Sequence, residues 1–284
     1  MADWFFTSDL HGQTDFYEQI LAQAAAGRPR AVVLGGDLCP HASGDGGPRR
    51  QRLFLEGILV EFARRLREAV PGAELLLLMG NDDWSANHVL LEQHDGALWR
   101  LLHDRVVSVD DVRVAGLSWV PITPFAMKDW ERWEDGDEET PPRLDGWRSL
   151  ENGLEPFAFD PGDRTPTIAS ALDSLAARTE PASTLFVLHS PPRDTSCDAM
   201  AGGAHVGSRA IRRFVEQHQP PLVLSGHIHE SPRVSGEWHG RIGRSIVVNP
   251  GQFGSAHLCG VWFDPHRLEE TLRHTVRGRD ASRT

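Results

Sequence analysis

No apolar run in this sequence approaches the roughly 20 residues that a membrane-spanning helix requires. The opening stretch, residues 1–12, has neither a basic segment nor a cleavable apolar one. Bilayer insertion and a secretory leader are therefore not expected. Cysteine is scarce: Cys39, Cys197 and Cys259 are odd in number and far apart. That excludes a disulfide framework and a CxxC zinc pair, and it points to a reducing, cytoplasmic setting. Positive charge is also short, with 29 Lys and Arg against 40 Asp and Glu, a formal net charge of −11. Broad binding to nucleic acid or anionic membranes needs a basic footprint that displaces counterions, so neither is expected. No internal repeat of fixed period is found.

What remains is an ordinary globular chain. Its 284 residues are 40% apolar and 24% charged, enough to bury a large core. By length alone it forms one or two domains. Short apolar segments alternate with amphipathic ones. Residues 2–7, 31–34 and 75–79 read as buried strands, each running into a polar loop. Residues 14–26 and 50–69 show helical spacing between them. This is the pattern of a parallel sheet with covering helices. The alternation resumes with strands at 112–119, 184–188, 222–224, 233–238, 245–248 and 258–263. Helices are expected at 168–177 and 208–218, with Ser208 as N-cap. Between them, residues 121–167 are rich in Pro, Gly, Trp and acid, with seven acids against one Arg from Asp129 to Glu139. This stretch reads as an irregular insertion over one face of a single domain (residues 1–276). Its tryptophans Trp130, Trp133 and Trp147 argue against disorder, because such rings are costly to leave in water. Residues 277–284 read as a frayed tail.

The chemistry sits where strands end. Five apolar strands run straight into loops that open with metal-ligand residues: Asp9 and His11; Asp37; Asn81; His189; and His227 with His229. In an open α/β sheet, ligands bind at the carboxyl ends of strands. Two Asp, one Asn and four His suit Mn, Fe, Zn or Co and not calcium. Seven ligands exceed the needs of one tetrahedral ion and suit two ions sharing a carboxylate. Taken singly, each motif is weak, since Asp-x-His after a strand can be a cap and Gly-Asp a turn. The order of all five, each behind its own strand, carries the argument.

These motifs (D9-L-H11, G36-D37, G80-N81-D82-D83, H189 and G226-H227-I-H229) resemble those of the calcineurin-like binuclear metallophosphoesterases. The resemblance implies an α/β fold in which two mixed β-sheets are sandwiched between α-helices. It also implies two divalent metal ions. Asp9, His11 and His229 would hold the first and Asn81, His189 and His227 the second, with Asp37 bridging them. Such a pair, roughly 3.5–4 Å apart, can clamp the oxygens of an in-line displacement and generate hydroxide at neutral pH.

One position departs from the family. Where its usual motif has a histidine over the substrate, this chain has Asp82, which cannot offer positive charge to phosphate and acts as an acid only with a raised pKa. His205, in a glycine-rich loop before a helix N-terminus, is the first candidate to fill the gap. His41, four residues past Asp37, is the second, and His88 the third; each is by default an ordinary loop histidine. Arg193 and the Asn249-Pro250-Gly251-Gln252 loop are lesser candidates, by default a surface arginine and a simple turn.

The expected function is hydrolysis of a small phosphate ester by metal-bridging hydroxide, with a phosphodiester or nucleotide-type substrate favoured over a phosphoprotein. The alternative from another class is a weakly active or inactive binding module that uses the Trp-rich insertion for partner contacts. A single-metal hydrolase is a third reading, against which the bridging position of Asp37 speaks.

Overall fold

The computed structural model describes residues 3–44, 46–252 and 254–278; most of the expected tail, 279–284, lies outside the described residues. The first half runs β1 (Trp4–Thr7), α1 (Thr14–Gly27), β2 (Ala31–Leu34), α2 (Gly47–Phe54), α3 (Val60–Ala69), β3 (Glu74–Leu77), α4 (His88–Glu92), β4 (Arg100–Leu101), β5 (Arg105–Val109) and β6 (Val112–Leu117). The insertion contributes β7 (Val120–Pro121), β8 (Glu131–Arg132), β9 (Asp145–Leu150) and β10 (Gly153–Ala158). Then follow α5 (Ile168–Ala176), β11 (Thr184–Leu188), α6 (Arg209–His218), β12 (Leu222–Leu224) and α7 (Ser231–Ser235). The chain closes with β13 (His239–Ile242), β14 (Ser245–Val248), β15 (Val261–Phe263), α8 (Leu268–Thr271) and β16 (Arg273–His274).

Side chains alternate across a strand, and here both faces are apolar, so each strand feeds two cores. Trp4 and Phe6 of β1, Ala31 and Val33 of β2, and Leu76 of β3 meet Val114, Leu185, Val187, Leu222, Leu224 and Ile246 in a central cluster. Phe5, Val32, Leu34, Leu75 and Leu77 point the other way, onto Phe16, Tyr17, Ile20, Phe62 and Leu66 of α1 and α3. Phe186, Leu188, Val223 and Val247 face Leu172, Ile211 and Phe214 of α5 and α6. The result is helix, sheet, sheet, helix. Each fully buried Leu, Val or Phe contributes about 1.5–3 kcal/mol of burial.

The first sheet has the order β16-β15-β1-β2-β3-β4 and the second β13-β14-β12-β11-β6-β5. Strands β1 to β4 are parallel, with β15 antiparallel to β1. Strands β6, β11, β12 and β14 are likewise parallel, flanked by antiparallel β5 and β13. Both sheets are therefore mixed. Their parallel strands place β1, β2, β3, β11 and β12 so that the loops after them gather at one edge.

Four local features differ from expectation. The helix expected at 50–69 contains a π-helical turn, Leu55–Leu59, between α2 and α3. Residues 233–238 are not a strand. Pro232 stands in the first turn of α7, where proline's fixed φ favours helix entry. Residues 105–109, which carried no expectation, form the edge strand β5. The insertion is also more regular than it reads, since β9 and β10 form an antiparallel hairpin.

Several of its acids are turned inward as brackets, with Asp129, Glu131, Glu134 and Glu138 buried. Glu134 accepts from Ser208 Oγ (2.5 Å) and from the Ala210 N–H (2.9 Å), so it caps α6. Asp129 accepts from the N–H groups of Ser85 (2.8 Å) and Ser149 (3.0 Å). Glu138 accepts from the Glu134 N–H at 2.5 Å. Trp130 and Trp133 are buried, whereas Trp147 is exposed.

Beside Trp130 lies His103, whose Nδ1 accepts the Ser118 N–H at 3.0 Å. Burial, reinforced by His88 and two arginines, lowers its pKa to about 3. The folded pKa lies below the ordinary histidine value near 6.5. This group therefore contributes stability that is present above pH 6.5 and is lost as pH falls toward 3. Denaturant melts of metal-free protein should show a shallower loss between pH 6.5 and 4 for His103→Asn than for the wild type; parallel curves would contradict this.

Candidate metal centre

Four of the seven motif residues have left-handed backbones: Asp9 (φ 59°), His11 (φ 45°), Asp37 (φ 51°) and His227 (φ 64°). Such positions cost on the order of 1–3 kcal/mol each and persist only where the surroundings enforce them. The enforcing contacts are cross-loop. Asp9 N–H donates to Gly36 O (3.0 Å), His11 N–H to Asp37 O (2.8 Å), and Gly226 N–H to His189 O (3.0 Å). His227 N–H donates to Asp9 Oδ1 at 2.9 Å. Close approach of these loops requires glycine. A Cβ on Gly226 would strike Ser8 Oγ and Asp9 Oδ2.

One oxygen of each of Asp9 and Asp37 and one nitrogen of His189 lie within 4.8 Å of one another, and all three residues are buried. Asp37 Oδ2 is 3.4 Å from His189 Nε2 and 3.9 Å from His11 Nε2. Its other oxygen accepts the Asp82 N–H at 2.8 Å. Asn81 Oδ1 lies 3.1 Å from His189 Nε2 and 2.6 Å from His227 Nδ1. His229 presents its ring edge-on to His11, with centroids 5.5 Å apart. The structure thus gathers all seven motif residues.

Electrostatics sort these groups. Burial alone would raise the Asp37 carboxyl, but His189 and His11 outweigh it and hold Asp37 well below the usual carboxylate range. Burial pulls His189 down, yet the Asp37 charge and hydrogen bond, with Asp9, lift it to about 9. Burial and the neighbouring His189 drop His227 to about 3, leaving a neutral imidazole of the kind a metal binds. The His189 Nδ1 lies 2.8 Å from Gly35 O. That carbonyl accepts from Nδ1 and so fixes the ring with Nε2 aimed at Asp37 and Asn81.

Neither ring nitrogen of His11 nor Asp9 Oδ2 has a hydrogen bond, although all three atoms are buried. Buried polar atoms are seldom left so. Orphaned donor atoms around a shared carboxylate, in a mixed oxygen and imidazole set, are what a pair of divalent cations would satisfy.

Asp82 has only a partly exposed side chain, and its Oδ2 lies 2.7 Å from His41 Nδ1. His41 stacks on the His11 ring with centroids 4.1 Å apart, which sets it beside the centre. The hydrogen bond to Asp82 raises the His41 pKa. His205 is placed elsewhere: its Nδ1 meets buried Asp198 Oδ1 at 2.7 Å. Among the described contacts it touches none of the seven. His88 packs edge-on against Trp130 (6.0 Å) and His103 (6.2 Å), and Arg193 lies 3.8 Å from Asp194.

Two positioning residues carry more than the sequence suggested. Asp83 is fully buried and accepts from the N–H groups of Leu38 (3.0 Å), Cys39 (2.8 Å) and Gly80 (2.9 Å), tying the Asp37 and Asn81 loops together. Burial and the Asp37 charge raise its pKa to about 7. Asn249 Nδ2 donates to Cys197 O (2.9 Å), Gly226 O (3.2 Å) and Ile228 O (3.0 Å) and so clamps the His227–His229 loop. Its signal was the Asn249-Pro250-Gly251-Gln252 loop, which resembles one that the family often carries after a late strand and which here lies against the His227–His229 loop.

Comparison with known proteins agrees with this geometry. The description of the calcineurin-like phosphoesterase family matches residues 5–231, and the chain belongs to that family. The family uses divalent metal ions, and membership supports a phosphoester hydrolase. No curated protein matches the sequence. Among solved structures, TT1561 of Thermus thermophilus shares the fold with a TM-score of 0.58 at 20% identity, over 96% of this chain and 97% of that one. A dimetal phosphatase from Danio rerio has a TM-score of 0.52 at 15% identity, over 92% of both chains. Among the described residues, no helix is long and apolar enough to cross a membrane.

Proposed function

We propose that the protein is a dinuclear metal-dependent phosphoesterase whose preferred substrate is a small phosphodiester or nucleotide-type ester. Asp9, His11 and His229 would hold one cation, Asn81, His189 and His227 the other, and Asp37 would face both. Bound there, divalent cations (Mn, Fe, Zn or Co) supply a nucleophile from water at neutral pH and positive charge for the phosphoryl oxygens. The observation that carries this reading is the set of orphaned donor atoms on buried Asp9 and His11 beside Asp37.

The chain's own residues complete the reaction. Asp82 orients His41 and helps it keep its proton, so His41 can hand that proton from its ring to the leaving oxygen. The contacts favour His41 over His205, which sits with Asp198 on a neighbouring loop. Asp82 also favours diesters. Its carboxylate repels the single charge of a diester less than the second charge of a monoester. Three free cysteines fit a cytoplasmic setting. A binding module built on the insertion has less support, because Trp130 and Trp133 are buried.

After manganese reconstitution, the protein should hydrolyse bis(p-nitrophenyl) phosphate with a kcat/KM roughly tenfold or more above that for p-nitrophenyl phosphate. His41→Ala should slow the diester by about 10²-fold, the scale of general acid catalysis. Preference for the monoester, or an unaffected His41→Ala rate, would contradict the proposal.

A further inference from the structure

Gln51 of α2 is a long polar side chain with no exposure to solvent. Glutamine is seldom buried so completely unless its amide is engaged. Here Nε2 donates to Pro40 O at 3.1 Å and to Asp82 O at 2.6 Å, and Oε1 accepts the Trp84 N–H at 2.7 Å. The amide has two N–H donors, and these two carbonyls use both. Pro40 precedes His41 and Asp82 follows Asn81. A single side chain therefore ties the loop after β2 to the loop after β3. Helix α2 comes close enough because residue 47 is glycine: a Cβ there would strike Ala42 O and Trp84 Nε1.

The consequence falls on Asp82. Its N–H donates to Asp37 Oδ1 at 2.8 Å and its carbonyl takes the Gln51 amide, so its backbone is gripped on both sides. Only its own rotamers then remain to the side chain. In the rotamer adopted, Oδ2 lies 2.7 Å from His41 Nδ1 and Oδ1 lies 3.4 Å from Asn81 Nδ2. Asn87 joins the same two segments, with Nδ2 donating to Pro48 O at 2.9 Å, but its side chain bonds neither Asp82 nor the residue before His41. We propose that Gln51 is the positioning residue that fixes the Asp82 carboxylate beside Asn81 and thereby sets how strongly the site favours diesters over monoesters.

The proposal rests on the reading in which Asp82 selects against the second charge of a monoester, and it adds the residue that keeps this selection sharp. Coulomb repulsion falls with distance, so a carboxylate free to swing away discriminates less. No proton moves in this role. Gln51 is uncharged and acts through place alone: without its amide the Asp82 and Pro40 carbonyls lose their shared donor, and the two loops are no longer held in register.

The ratio of kcat/KM for bis(p-nitrophenyl) phosphate to that for p-nitrophenyl phosphate, taken on full-length protein in manganese, tests this. Gln51→Met, similar in size but without the amide, should lower the ratio by about threefold or more, as should Asp82→Asn. Gln51→Glu keeps an acceptor for the Trp84 N–H without the amide donors; it should act in the same direction and serves if Gln51→Met does not fold. Combining Gln51→Met with Asp82→Asn should bring no further fall, because both changes act through one group. Asn87→Leu should lower the melting temperature comparably and leave the ratio unchanged. An unchanged ratio in the Gln51 variants, a further fall in the double variant, or an equal fall in Asn87→Leu overturns the positioning role and leaves the phosphoesterase reading standing. An unchanged ratio in Asp82→Asn would instead remove the charge selection itself, and the part of Gln51 with it.

Discussion

Asp37→Ala is expected to abolish phosphodiester turnover, lowering kcat by about three orders of magnitude or more. The argument is one of position. Its Oδ2 faces both His189 and His11, and its Oδ1 accepts the Asp82 N–H. His11 is proposed for one cation and His189 for the other, so a single oxygen of Asp37 faces groups of both. Loss of one shared ligand weakens the clamp on both sides of the reacting phosphorus. Several kcal/mol of transition-state stabilisation is at stake, at about 1.4 kcal/mol per decade of rate. Truncation also leaves His189, which Asp37 holds near pKa 9, without its main partner. Rates measured in excess manganese, with metal content by elemental analysis, check this. A rate within tenfold of the wild type would show that Asp37 is not shared.

The second large effect is steric. Gly80→Ala would drive a methyl into Asp37 Oδ1, the Asp37 backbone nitrogen and His189 Nε2. All belong to buried groups that cannot step aside as a surface lysine would. Overpacking of this kind costs about 1–3 kcal/mol, and here it also splays two proposed ligands. A melting-temperature drop of about 2–4 °C per kcal/mol is expected, together with weaker manganese binding. Gly57→Ala is the control. A Cβ there meets nothing within 4 Å, and it lies within a helical segment, so alanine should be neutral or stabilising by about 0.5–1 kcal/mol. Equal effects of the two changes would remove the steric explanation.

The motif loops that gather at one edge were legible because their strands are buried on both faces. A continuous apolar run such as 31–34 ends abruptly at Gly35-Gly36-Asp37, and that break in polarity is visible in sequence. The helix faces of α1, α5 and α6 were legible for the same reason. The hairpin was missed because its two-residue loop, Glu151-Asn152, is not one of the strong hairpin dipeptides; the glycine that follows is already paired with Leu150. Its flanks, 145–150 and 153–158, are too polar to register as strands, because most of their side chains are at least partly exposed.

The acids of the insertion misled for a different reason. Glu134 looks like part of a solvated charge run, yet its partners on α6 lie 74–76 residues away. No local pattern encodes such a contact. His41 and His205 show the same limit. Both follow glycine-rich stretches, and only the three-dimensional path of each loop reveals that one stacks on His11 while the other meets Asp198.

Anomalous X-ray scattering from crystals grown with manganese tests the central claim most directly. The account predicts two strong peaks roughly 3.5–4 Å apart, one on each side of the Asp37 carboxylate, with Asn81 Oδ1 and His227 Nδ1 reaching only one of them. A single peak at Asp37, or peaks that leave Asp9 and His11 without a metal, would contradict it.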